Sequence, residues 1–168
     1  KVEYSTDAGT TWIAGKSLDI DVVKETTTNV EFKNTYTTVS TIAISKRTTD
    51  GANLTGASLE LYKGDGTTGS AFASWTSQSA AQQIAVDDSV TTPAQDAATK
   101  VITINPGRYT LKEKIAPAGY DKANAITFDV SADGKITLTG SNGQVSTDQK
   151  TLIMTDEKLG SLKIVKEI

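Results

Sequence analysis

The chain has 168 residues, a formal net charge of −3, 37% hydrophobic and 22% charged residues, and neither cysteine nor histidine. That size and balance suit one ordinary domain with extra strands, or two small ones, and exclude global disorder. Disulfides, thiol catalysis, cysteine-based zinc sites and Ser-His-Asp chemistry are excluded; no basic patch invites nucleic acid, and no apolar run is long enough to span a bilayer as a helix.

Thr, Ser, Val and Ile recur in short alternating runs broken by Gly, Asn and Asp, the pattern of an all-β sandwich. In chain order the predicted strands are 2–5, 18–23, 29–34, 41–46, 57–62, 71–75, 100–104, 108–114, 125–130, 135–139 and 151–155. Asp50-Gly51, Asp65-Gly66, Asp133-Gly134 and Asn142-Gly143 read as turns, and Pro106-Gly107 as a tight turn joining 100–104 to 108–114. Residues 77–99 break the rhythm, being rich in Ala, Gln, Ser and Asp. Ser79 to Ala85 suits a helical turn or two. Thr92-Pro93 reads as an N-cap with Pro at the first helical position, followed by good helix formers. We read 77–99 as an insertion on a β scaffold, either a binding loop or tolerated surface.

Three of the strands end on a charge. Ile42, Ile44 and Lys46 share one strand face, as do Tyr109, Leu111 and Glu113, and Leu152, Met154 and Asp156. An amine and two carboxyl groups therefore fall in phase with apolar residues that belong in a core. Buried charges are costly unless paired or neutralised. A covalent Lys–Asp cross-link answers that cost; a non-covalent buried ion pair is the other reading.

The two ends of the chain carry a faint repeat. Val30 to Asn34 ends a strand on an amide expected to point inward, as 152–156 ends on an acid. Each is followed, after a short linker, by a strand with an inward Lys: Lys46 in one case, Lys166 in the other. The expected organisation is a tandem array: 1–36 as the closing strands of a preceding β domain, 37–159 as one complete domain, and 160–168 as the opening strand of a following domain or a C-terminal extension. Lys1 rather than Met opens the chain, which reads as a piece of a longer protein.

Ile44 to Gly51 with Leu54 to Leu61, Pro106 to Glu113 with Ala116 to Tyr120, and Thr151 to Asp156 together resemble the Cna protein B-type (CnaB) domains of Gram-positive surface adhesins and pilins. The resemblance implies a Greek-key, inverse immunoglobulin-like sandwich. It implies Lys46 as nucleophile, Asp156 as acceptor and Glu113 as proton shuttle, in the variety whose acceptor is Asp rather than the commoner Asn. It also implies Asn34 and Lys166 as cross-link residues of neighbouring domains. The expected setting is extracellular, on a cell-wall-anchored protein or pilus, with neighbouring domains of the same protein as partners and a host protein or glycan as a further one.

The chemistry follows from burial. An ammonium is not a nucleophile, and an apolar core favours neutral amines and neutral carboxyls. A neutral amine can attack a carboxyl carbon while a second carboxyl moves the protons, and the fold supplies the proximity. The reaction needs no cofactor and no metal, and it happens once per chain, so the protein is not expected to be an enzyme. The leading function is a structural stalk; the alternative is a ligand-binding adhesin domain using 77–99 or the N-terminal region. Trp12 and Trp75 read as strand or core aromatics before ligand-stacking ones. Asp87-Asp88 and Asp65-Gly66 lack the spacing of a calcium loop. Asn53-Leu54-Thr55 matches a glycosylation sequon by accident of composition.

Overall fold

The computed structural model describes residues 2–15, 17–20, 24, 26–34 and 39–160. The chain divides into two compact units, Lys1–Thr37 and Thr38–Ile168. The first is a three-stranded antiparallel sheet of β1 (Val2–Ser5), β2 (Ile13–Ala14) and β3 (Glu31–Asn34), in the order β2-β1-β3. Tyr4 and Phe32 face each other across β1 and β3 with ring centroids 6.5 Å apart. Trp12 is half-buried beneath the Lys33 ammonium, 5.7 Å from the ring centroid.

One expectation for this unit is corrected. Residues 18–20 of the expected strand 18–23 are not in a strand, and 21–23 lie outside the described residues. Asn34, expected to face the core of a preceding domain whose other strands are not part of this sequence, is exposed here with the rest of β3, which leaves that expectation open. No second layer covers that strand among the described residues of its unit, so no core exists there for Asn34 to face.

The second unit is an all-β sandwich. One layer is a five-stranded sheet in the order β12-β11-β10-β5-β6, the other a six-stranded sheet in the order β13-β14-β4-β7-β9-β8. The elements are β4 (Val39–Thr48), β5 (Ser58–Lys63), β6 (Ala73–Thr76), β7 (Gln82–Asp87), β8 (Ala94–Gln95), β9 (Ile102–Ile104), β10 (Gly107–Ile115), β11 (Ile126–Val130), β12 (Ile136–Leu138), β13 (Gln144–Val145) and β14 (Thr151–Asp156). The chain changes layer four times, after β4, β6, β9 and β12. Strict alternation of buried and half-exposed residues in β11 and β14 is what a strand needs when one face is core. Ile42, Ile44, Ile84, Val86, Leu152 and Met154 from one layer meet Leu59, Leu61, Tyr109, Leu111, Ile126 and Phe128 from the other, all buried.

The turns follow local chemistry. Gly51 adopts φ +90° and donates to the Thr48 carbonyl at 2.9 Å, closing Asp50-Gly51. Gly143 sits at φ +81°, and a Cβ there would lie 2.6 Å from Ile126 Cδ1, so both backbone shape and space demand glycine. Pro106-Gly107 is not a hairpin within one sheet. It carries the chain from β9 in one layer to β10 in the other, and the Tyr109 hydroxyl fastens it by donating to the Asn105 carbonyl at 2.6 Å.

The largest correction concerns 77–99. Neither expected helix forms. Residues 82–87 are β7, hydrogen-bonded between β4 and β9, with Ile84 and Val86 fully buried. Residues 94–95 form β8 on the edge of β9. Ala and Gln favour a helix in isolation, but burial of Ile84 and Val86 against the opposite layer outweighs that weak preference. Past β8, residues 97–99 form a turn in place of the expected helix. The Asp96 carboxylate accepts from the Ala98 and Thr99 amides at 2.9 and 2.6 Å.

Candidate functional site

Lys46, Glu113 and Asp156 come together in the core of the sandwich. β14 runs parallel to β4, its neighbour in the sheet, with Met154 opposite Lys46 and Asp156 opposite Thr48. Lys46 and Asp156 are thus diagonal neighbours on the same face, within reach of a long side chain. Glu113 arrives from the facing layer, on the central strand β10, where it pairs with Leu59 of β5. The ladder slips between Glu113 and Ile115, a bulge that ends the regular pairing beside the site.

The Lys46 Nζ contacts Asp156 Oδ1 directly and lies 3.3 Å from Glu113 Oε1, and none of the three side chains has exposed surface. Glu113 Oε2 accepts a 2.7 Å hydrogen bond from the Ala123 backbone amide. Glu113 Oε1 and Asp156 Oδ2 are buried without a hydrogen-bond partner. Two acids beside one amine leave an excess negative charge if all are ionised, and that charge has no water to stabilise it. Burial accordingly pushes the Glu113 carboxyl above its ordinary value. The Ala123 amide and Lys46 oppose this, and the neighbouring Asp156 adds to it. A protonated Glu113 has an O–H to donate, and the two unpartnered oxygens are the atoms such a proton would join.

The backbone around the cluster is held as firmly as the side chains. The Leu54 amide donates to the Lys46 carbonyl at 2.9 Å, and the Thr49 amide to the Asp156 carbonyl at 3.2 Å. Buried Ser77 ties 54–57 to β6: its hydroxyl donates to the Leu54 carbonyl at 2.8 Å and accepts from the Ala57 amide at 2.9 Å. A cavity of about 310 Å³ adjoins the cluster, walled by Lys46, Ile44, Leu59, Trp75 and the 76–83 segment.

Residues 40–144 match the family model of the SpaA prealbumin-like fold domain. The chain belongs to this family. No curated protein matches it. Among solved structures, the pilus-presented adhesin Spy0125 (Cpa) is similar at 26% identity and a TM-score of 0.43, over 64% of this chain and 22% of that one. The C-terminal fragment of the pilus adhesin SpaC from Lactobacillus rhamnosus GG is similar at 21% identity and a TM-score of 0.47, over 75% of this chain and 47% of that one. The chain therefore spans about a fifth of the first and under half of the second. Asp156 lies beyond the matched segment of the SpaA-type domain, while Lys46 and Glu113 lie within it.

The remaining sequence-singled residues do not join the cluster. Asn34 lies in the other unit, and Lys166 lies outside the described residues. Trp75 packs on the core from one side. Asp87 accepts from the Ser89 amide and hydroxyl, and Asp65 faces Arg108, so both serve their turns. The sequence reading missed Ala123 and Ser77. The first contributes a backbone N–H, which leaves no mark in a residue pattern. The second is one serine among many, and only its burial sets it apart.

Proposed function

We propose that this SpaA-type domain is a load-bearing stalk or backbone module of a Gram-positive surface adhesin or pilin, secured by an amide that the chain forms between Lys46 and Asp156. The observation that carries this reading is the fully buried contact of Lys46 Nζ with Asp156, with Glu113 at 3.3 Å. The finer assignment, a CnaB domain of the Lys–Asp variety, rests on the sequence motifs that contain these three residues.

The reaction balances without outside reagents. In the reactive form a proton of the Lys46 ammonium has passed to Glu113, which leaves a free amine beside a protonated Glu113, and the amine attacks Asp156 Cγ. Glu113 hands that proton to an Asp156 oxygen and then carries the second proton, shed by the newly bonded nitrogen, to the same oxygen, which leaves as water with Glu113 ionised. One N–C bond forms and one C–O bond breaks. A well-oriented intramolecular pair has an effective molarity of roughly 10⁵ M or more, so positioning supplies most of the acceleration. Each chain reacts once with itself, so the protein is not an enzyme.

The stalk role follows from topology. β4 opens the sandwich and β14 closes it, and the two are parallel neighbours. Load entering at β4 would pass from Lys46 to Asp156, positions 110 apart in sequence, and leave after β14, so the stretch between them would carry none of it. The alternative, a ligand-binding adhesin domain using 77–99 or the N-terminal region, keeps only the exposed stretches on either side of β7, since Ile84 and Val86 are core. The intact mass of the purified chain tests the proposal. One water below the sequence mass, restored in Lys46→Ala, supports it. Full mass in both removes it.

A further inference from the structure

The loop between β10 and β11 joins two parts of the cluster that the strands hold separately. At one end, the Ala123 amide holds Glu113 Oε2 at 2.7 Å, which leaves Oε1 turned toward Lys46. At its middle, the loop is fastened to the residues just after Asp156. The Asp121 amide donates to the Glu157 carbonyl at 2.9 Å, the Leu159 amide donates to the Gly119 carbonyl at 2.9 Å, and Tyr120 and Lys158 form an antiparallel bridge. Gly119, at φ +85°, lets the loop turn back at this point. Residues 157–159 are exposed and lie past the last strand. Core packing does not explain why three consecutive residues there bind the loop.

We propose that residues 117–123 are a latch: docking of 157–159 on this loop sets the Ala123 amide against Glu113, so the proton-shuttling carboxyl is positioned when the acceptor strand is in place. This rests on the cross-link reading above. Ala123, Asp121 and Leu159 are positioning residues that act through Glu113 and touch no reacting atom. The physical effect is on order of assembly. Without the 157–159 clasp the loop keeps its own turn, from the Tyr120 amide to the Pro117 carbonyl. It then has fewer fastenings to hold the Ala123 N–H in place. A buried carboxylate without that donor is both harder to ionise and free to rotate.

Leu159→Pro removes the amide that bonds Gly119 and touches no strand; Leu159→Ala keeps it. Full-length chains are made in a cell-free reaction, stopped at intervals in denaturant and weighed. In parallel, amide hydrogen exchange is followed at Ala123, Asp121 and the β10–β11 ladder. The expected result is loss of water slowed by about tenfold to a hundredfold in Leu159→Pro, in the range that misplacement of a reacting group produces. Leu159→Ala is expected to match wild type. Ala123 protection is expected to fall in Leu159→Pro, with the Leu111–Ile126 ladder unchanged. Equal rates and unchanged Ala123 protection in the Pro variant overturn the latch. Should wild type itself keep its full mass, the cross-link reading falls, and exchange alone decides the latch: coupled loss at Ala123 sustains it and independence ends it.

Discussion

Glu113→Gln separates the chemistry from the packing. Glutamine has nearly the same shape, and its amide oxygen can still accept from Ala123, but it cannot shuttle a proton. The variant is expected to fold, to keep its full mass and to lose the cross-link. The cost follows from chain entropy. A bond between positions 110 residues apart removes loop freedom from the unfolded chain worth about 5 kcal/mol, by analogy with a disulfide closing the same loop. For a domain of this size the unfolding entropy is about 0.25 kcal/mol per kelvin, so the melting temperature is expected to fall by about 20 °C. Calorimetry on the same samples as intact-mass measurement makes the comparison. Two results refute the reasoning. If the variant still lacks a water, Glu113 is not the shuttle. If it has full mass, wild type lacks the water, and the two melt within about 5 °C, the cross-link does not stabilise by closing the loop.

Three further expectations follow. Burial raises the Glu113 carboxyl, so the folded state holds its proton where the unfolded chain has lost it. Its contribution is complete below the ordinary value of 4.5 and is lost as pH rises through the folded value. Aspartates held low by turn hydrogen bonds, such as Asp87 and Asp96, act in the opposite sense, stabilising above 3.8 and losing this as pH falls. Melting temperature measured upward from pH 5 is therefore expected to decline in wild type and to lose that slope in Glu113→Gln. Ile84→Ala, in the centre of β7, is expected to cost about 2–5 kcal/mol in denaturant titration, because the side chain is fully buried; a cost below about 1 kcal/mol, close to that of a surface substitution, would return 77–99 to the status of a loop. Ser77→Ala leaves the Leu54 carbonyl and Ala57 amide without their hydroxyl partner, and about 1–3 kcal/mol is expected to be lost in the same titration.

Strands with a one-sided core write themselves into sequence, and the cluster depends on three of them. Ile42-Ile44-Lys46, Tyr109-Leu111-Glu113 and Leu152-Met154-Asp156 alternate plainly, so the face each charge occupies was readable from spacing alone. That β4 and β14 lie side by side in parallel was not readable, because strand pairing is set by the whole sandwich and by no local pattern. β7 was hidden by composition: Gln82, Gln83 and Ala85 face partly outward and carry helix-forming side chains, leaving Ile84 and Val86 as the sole apolar marks. β2, β8 and β13 are two residues each, too short for any period to register. Asn34 had the same alternating context as Asp156, yet it is exposed. Alternation tells which residues share a face, and a second layer decides whether that face is buried.

The most direct measurement is a tryptic digest read by tandem mass spectrometry. An amide at Lys46 blocks cleavage after it, so the account predicts a branched species joining Asn34–Arg47 to Thr151–Lys158, one water lighter than the two peptides together. Recovery of linear Asn34–Lys46 and unmodified Thr151–Lys158, with no branched species, would contradict it.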